Sequence, residues 1–318
     1  MNLELACADV IYPEPVPGHR AERTAFEQLI PLVTNSVRSP HSKTAYARGL
    51  RDFLEYVRTK PANSQFNRSL VQEYRTVLES QGKRPASVNQ ALSAIRKLAS
   101  EAADTGYLDA GVAASIISLK GVPVRGTRAG KWLGYEEMLT LLLAPDQSTG
   151  RGRRDFVLIA LLMGAALRRA EACALTVGQV QWRDGRMLLV DVLGKGQRLR
   201  SVPIPQSLWG GVNLWIKELR AEAGSPLLRR IDAQGRATNA ALSPAGAWWI
   251  VRSYAESLGF TGVRPHDLRR TFAKAALKGG ADIDAIRAAL GHSNAIVTQV
   301  YCGQEMHLNN PACEKIGL

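Results

Sequence analysis

Between Lys120 and Lys131 the chain abandons hydrophobic periodicity and turns to glycine, valine, proline and arginine: Gly121, Pro123, Arg125, Gly126, Arg128 and Gly130. A core cannot run through such a stretch, because glycine and proline break regular structure and the arginines demand water. The 318 residues are therefore expected to fold as two bodies joined by a basic linker. The boundaries read as an N-terminal extension over 1–38, a helical domain over 39–120, the linker over 121–131 and a second domain over 132–318.

In the first body, Tyr46, Leu50, Phe53, Leu54 and Val57 recur at helical spacing. Helices follow over Leu70–Ser80, Ser87–Ala103 and Ala110–Leu119, with turns at Gly82, Pro85 and Gly106. This predicts a bundle of about four helices. The second body is mostly helical with one β segment. Gln179–Trp182, Met187–Leu193 and Leu199–Ile204 are short apolar runs separated by Arg183-Asp184-Gly185 and Gly194-Lys195-Gly196, two hairpin turns, so three short antiparallel strands are expected. Helices are then expected over Leu208–Ala223, Ser243–Leu258, His266–Lys278, Ile283–Leu290 and Asn294–Val300, with a loop through Thr238. Gly279-Gly280 and Gly291 read as C-caps. The fold class is mainly α.

Basic residues exceed acidic ones by 13, and both bodies share the excess, so the expected partner is a polyanion, nucleic acid first. The longest apolar run, Phe156 to Leu167, is too short to cross about 30 Å of hydrocarbon. The start, Met1 to Pro17, lacks the n-region and h-region of a signal peptide. Cys7, Cys173, Cys302 and Cys313 form no C-x-x-C pair, against both a zinc site and a disulfide framework. A cytoplasmic, nucleoid-associated protein is expected. Gly126, Gly130 and Lys131 imitate a P-loop, but only three residues separate the glycines and Trp132 stands where Ser or Thr is needed.

Arg168 with Glu171, and His266 with Arg269, each stand three apart. Either pair alone is what a solvated helix face offers. Their order is more telling: Arg168 and Glu171, Lys195 at a hairpin tip, His266 and Arg269, then Ala289-Leu290-Gly291-His292 and Tyr301. This order and spacing resemble the tyrosine recombinase, or phage integrase, family, and the resemblance runs through the whole second body. In the first body, Ser42, Thr44, Tyr46, Leu50 and Phe53 are similar to the family's first bundle helix. The chain departs from the family pattern at Ala166, where glycine is usual, and at Val300, where a basic residue is common.

The resemblance implies a four-helix SAM-like core-binding bundle followed by a catalytic domain with a small three-stranded antiparallel sheet. It implies a site-specific recombinase that cleaves and rejoins double-stranded DNA through a 3′-phosphotyrosyl intermediate. The catalytic set would be Arg168, Lys195, His266, Arg269, His292 and Tyr301. Tyr301 would be the nucleophile, His266 its base and Lys195 the acid that protonates the leaving 5′-oxygen. Arg168 and Arg269 would clamp the phosphate, His292 would hydrogen-bond it, and Glu171 would orient Arg168 or its neighbours from behind. Asn294 reads as the N-cap of the helix that carries Tyr301. No cofactor, ATP or metal is implied, since the bond energy is kept in the covalent intermediate. Lys43, Arg84, Ser87, Asn89 and Arg96 are the candidate DNA contacts of the first body. A homotetramer on DNA, assembled through the C-terminal segment, and a place in a mobile element are further expectations. Two alternatives stay open: a type IB topoisomerase-like nicking-closing enzyme, and a non-catalytic DNA-binding regulator of the same fold.

Overall fold

A computed structural model describes residues 26–61, 64–123, 131–194 and 196–302, the side chains of His41, Ile296, Val300 and Tyr301 excepted. The chain divides into two units, Met1–Gly126 and Thr127–Leu318.

The first unit contains α1 (Ile30–Asn35), α2 (Pro40–Arg58), α3 (Arg68–Ser80), α4 (Pro85–Asp104) and α5 (Ala110–Ile117). Local chemistry sets their starts. Proline at the first turn of α2 and α4 presets the helical φ where no N–H partner is needed. The Asn67 carboxamide accepts the Leu70 N–H at 3.0 Å, and Asp109 accepts those of Gly111 and Val112. The apolar faces of these helices meet in one core that includes Leu50, Phe53, Val88, Leu92, Ile95, Leu98 and Ile116. That core begins earlier than the sequence reading allowed. Phe26, Leu29 and Val33, assigned to an extension over 1–38, are buried in it, and Phe26 packs edge-on against Phe66 with ring centres 5.0 Å apart.

The second unit is built around α7 (Gly150–Gly164), preceded by α6 (Tyr135–Leu143). From Phe156 to Met163 every residue of α7 is buried, as expected of a helix that is apolar all round. After α8 (Arg169–Ala174) come β1 (Val180–Arg183), β2 (Arg186–Leu193) and β3 (Leu199–Pro203), an antiparallel sheet in the order β1-β2-β3. Asp184 and Gly185, at φ +50° and +71°, form the mirror-image turn that suits the twist of a tight hairpin. Lys195, between β2 and β3, lies outside the described residues. Helix α9 (Trp209–Leu219) follows, then a hairpin of β4 (Arg229–Ile231) and β5 (Ala237–Ala241) where a loop was expected. Both strands are short and β5 is mostly exposed, so neither carries the alternation that marks a strand in sequence. The chain ends its described part with α10 (Pro244–Ser257), α11 (Pro265–Lys278), α12 (Ile283–Leu290) and α13 (Ala295–Cys302). A small separate core of Ala166, Ala273, Ile286, Leu290 and Cys302 holds α11, α12 and α13 against the turn that follows α7.

Candidate active site

Arg168 is not inside a helix but at its threshold. Its backbone is extended, and Glu171, three residues on in α8, accepts the Arg168 N–H at 2.9 Å, so the carboxylate caps the helix. The same carboxylate accepts Arg168 Nη1 at 2.6 Å. Its second partner is Arg200 of β3, which the sequence reading missed: Arg200 Nη2 and Nη1 reach the two Glu171 oxygens at 2.7 and 3.2 Å. Arg269 adds a third guanidinium, with Nη1 3.8 Å from Glu171 Oε2. Burial alone would push the Glu171 carboxyl up, but the bonds from Arg200 and Arg168 outweigh it and hold the group below the ordinary carboxylate range.

Arg264, Pro265 and Asp267 start α11 in the same way, with Asp267 accepting the Arg264 N–H at 3.0 Å. One turn later Arg269 points inward, its side chain 1% exposed. Nη1 donates to the carbonyl of Ala166 and Nη2 to that of Leu290. Ala166 stands two residues before Arg168 and Leu290 two before His292, so a single guanidinium staples both approach segments. The two bonds leave Arg269 beneath the site surface, whereas the Arg168 side chain remains 29% exposed. Of the expected clamp, Arg168 is the half that faces out.

Helix α12 ends at Gly291, whose φ of +59° is the left-handed conformation a C-cap favours. The His292 N–H bonds back to the Arg287 carbonyl at 3.1 Å, completing the cap and fixing where His292 leaves the helix. Nδ1 of His292 and the hydroxyl of Thr298 are hydrogen-bonded at 3.1 Å. Thr298 is fully buried on α13, one turn before Tyr301. Burial, then Arg269, Arg168, His266 and Arg200, depress the His292 pKa to about 4, so the ring is neutral at pH 7. His266 has an edge open to solvent. Protein packed on the rest of its ring desolvates it, and with Arg270 and Arg269 nearby this holds its pKa below 6.5.

The mutual influence of Arg168, Arg269, His266 and His292 means that four of the expected catalytic residues converge, with Glu171 beneath them. Tyr301 lies on the helix anchored to His292 through Thr298; Lys195 lies outside the described residues. The signal that could have found Arg200 is its place in β3, directly paired with Val192 across the hairpin that follows Glu171.

In the first unit the candidate contacts divide. Arg84 and Ser87 are exposed at the start of α4, and Lys43 is half-buried on α2. Asn89 is instead committed to its own backbone: Nδ2 donates to the Val122 carbonyl at 2.9 Å and Oδ1 accepts the Val122 N–H at 2.7 Å. Arg96 donates to the Leu119 carbonyl. Both side chains hold residues 119–122 onto α4.

A mostly helical second unit that gathers two arginines and two histidines under a helix carrying a tyrosine defines the class. The description "Phage integrase family" matches residues 131–307, and "Phage integrase, N-terminal SAM-like domain" matches residues 29–106. The chain belongs to the phage integrase family. It is 34% identical over 169 residues to tyrosine recombinase XerD of Neisseria meningitidis serogroup B, a match covering 52% of this chain and 56% of that one. The chain thus spans little more than half that relative's length. Tyrosine recombinase XerD of Staphylococcus epidermidis is 29% identical over 263 residues, 81% of this chain and 85% of the relative. Among solved structures, XerH site-specific recombinase bound to difH substrate, in a pre-cleavage complex, shares the fold with a TM-score of 0.69 at 17% identity, covering 91% of this chain and 94% of that one.

Proposed function

We propose that this protein is a site-specific DNA recombinase that cuts and rejoins strands through a 3′-phosphotyrosyl bond. The observation that carries the reading is the convergence of Arg168, Arg269, His266 and His292 around Glu171, with the Tyr301 helix tied to His292. Attack on a phosphodiester concentrates charge on the non-bridging oxygens, and fixed guanidiniums stabilise that charge. Arg168 contacts the phosphate, while Arg269 contributes its charge from beneath and holds the flanking turns. Neutral His292 donates to a phosphate oxygen. His266, neutral at pH 7, accepts the Tyr301 phenolic proton as the oxygen attacks phosphorus, and Lys195 protonates the departing 5′-oxygen. Reversal of these steps with a 5′-hydroxyl from another strand rejoins the DNA. The named relatives are tyrosine recombinases, and the XerH structure holds its substrate DNA.

Strand exchange between two sites requires four active subunits, so a homotetramer on DNA, joined through the C-terminal segment, completes the reading. The activity fits a mobile element acting at the nucleoid. Lys43, Arg84 and Ser87 contact phosphates and set register without reading sequence. Among the described residues no helix is long and apolar enough to cross a membrane.

The test incubates purified protein with DNA from the flanks of its own gene, and with nicked duplexes that prevent religation, then quenches in detergent. A slow-migrating protein–DNA adduct in the wild type, absent in Tyr301→Phe, is expected. Relaxation of supercoils without joined products from two sites would indicate a topoisomerase. Salt-sensitive binding without adduct would indicate a regulator.

A further inference from the structure

Arg200 is the point through which the structure connects the segments bearing Arg168 and His292. Its fork closes on Glu171 with two bonds, the bidentate arrangement that fixes a carboxylate in orientation as well as distance. Glu171 in turn holds both the backbone and the guanidinium of Arg168. The third donor of Arg200, Nε, goes to the carbonyl of Ala289 at 3.2 Å. Arg269 takes the next carbonyl, Leu290, so two cations satisfy consecutive acceptors at the C-terminal end of α12, where the helix has no partners of its own. The side chain is only 12% exposed.

Two glycines make room for it. A Cβ at Gly291 would lie 3.1 Å from Arg200 Cδ and 3.2 Å from Nε and Nη1. A Cβ at Gly194 would lie 3.2 Å from Nη1. The guanidinium thus lies across two bare α-carbons, one before His292 and one at the end of β2.

We infer that Arg200 is a positioning residue that sets Arg168 and His292 in register with each other by spanning Glu171 and the end of α12. The inference rests on the strand-transfer reading above. It requires the planar fork together with Nε: one ammonium cannot bond both carboxylate oxygens and the Ala289 carbonyl in this geometry, so lysine is not an equivalent.

The test compares wild type, Arg200→Lys, Arg200→Gln, Glu171→Gln and the double variant Glu171→Gln/Arg200→Gln. Cleavage of nicked duplex is measured in single turnover at saturating DNA, and DNA affinity separately. The expected loss of rate is on the order of a hundredfold for Arg200→Gln, the scale of a misplaced reacting group. Arg200→Lys recovers little, affinity is kept, and the double variant is no slower than the slower single variant, because both act through one network. An unchanged rate, a loss of affinity matching the loss of rate, or full recovery with lysine overturns the inference. The His292 ring resonances, followed by NMR in the cooperatively folding Arg200→Lys variant, supply a reading independent of chemistry. They shift if Arg200 sets that segment and stay in place if it does not. Absence of adduct in the wild type with a shifted His292 resonance sinks the strand-transfer reading while leaving the positioning contact standing.

Discussion

Arg269 donates through Nη1 to the carbonyl of Ala166, whose backbone sits at φ +52°. The left-handed turn aims this carbonyl at the buried guanidinium and sends the chain on into Arg168. A side chain there costs about 1–2 kcal/mol in strain. Glycine would relieve that strain but lose about 0.5–1 kcal/mol to backbone entropy and about 0.8 kcal/mol of methyl burial. Ala166 is fully buried in the small core beneath α11–α13, so both losses apply. The terms nearly cancel, and Ala166→Gly is expected to shift stability by less than about 1 kcal/mol. Ala166→Val, β-branched and overpacked, should cost about 2–3 kcal/mol and lower cleavage as the turn is displaced. Urea unfolding of the pair checks this; equal destabilisation by both would refute the account.

Glu171 is the shared counter-charge of Arg168, Arg200 and Arg269. Replacing it by glutamine keeps the shape but leaves the Arg200 and Arg269 guanidiniums, which have little access to water, facing a neutral group, expected to cost about 3 kcal/mol at pH 7. Because the carboxyl is held below its ordinary range, its contribution is present above that range and lost as pH falls through the folded-state value. Glu171→Gln should therefore lose stability at neutral pH and converge with wild type in acid. A constant difference across the acid range would contradict this.

His292 has the opposite charge logic and the same sign. Buried beside Arg269, Arg168, His266 and Arg200, it stays neutral in the folded protein down to about pH 4, whereas its ordinary pKa is 6.5. Between those values the unfolded chain binds a proton that the folded one refuses, so stability falls as pH drops from 6.5 to about 4. His266, also held below its ordinary value, adds to the slope. His292→Gln should flatten the profile in that window. An NMR titration giving His292 a pKa at or above 6.5 would remove the basis for the prediction.

Asn89 and Arg84 lie five residues apart at the start of α4 with opposite commitments. Asn89→Ala breaks two bonds to Val122 and is expected to destabilise the protein by about 1–3 kcal/mol, with DNA affinity per folded molecule unchanged. Arg84→Ala, exposed and at the helix N-cap, should leave stability nearly intact. It should weaken binding across sequences and make log affinity against log salt shallower by about 0.9 if one phosphate contact is lost. Binding isotherms at several salt concentrations separate the two; a salt-slope change in Asn89→Ala would show that Asn89 also contacts DNA.

These contrasts mark what a single chain reveals. The three strands of the sheet and helices α10–α13 were readable to within a few residues, because Asp184-Gly185, Pro265, Gly280 and Gly291 are local signals that act where they stand. Arg168, Glu171, His266, Arg269, His292 and Tyr301 were readable as an ordered set. What escaped depends on contacts between distant residues. Asn89 has the chemistry of a DNA ligand and becomes a backbone clamp only because Val122 returns to it. Arg200 resembles any arginine on an edge strand until Glu171 and Ala289 are brought beside it. The burial of Phe26, Leu29 and Val33 needed Phe66 and α2 as a surface to pack on.

Thr298 joins His292 to the helix that carries Tyr301, and its fully buried hydroxyl is the partner of Nδ1. When that hydroxyl donates to Nδ1, the ring proton resides on Nε2, the nitrogen that the proposed mechanism assigns to a phosphate oxygen. Valine matches threonine in shape but offers no partner, so Thr298→Val frees the ring to adopt the other tautomer and loosens α13 from His292. Loss of one neutral hydrogen bond, about 1.4 kcal/mol if felt fully in the transition state, corresponds to about tenfold in cleavage rate. Thr298→Ser keeps the oxygen and should cleave close to the wild-type rate despite losing a buried methyl. Stability should rank the other way if packing dominates there, with valine at least as stable as serine. Single-turnover cleavage and thermal unfolding of the two variants together decide the matter: rates that follow stability, with serine the slower enzyme, would reduce Thr298 to a core residue, whereas rates that follow the hydroxyl would make it the coupling between the phosphate donor and the nucleophile's helix.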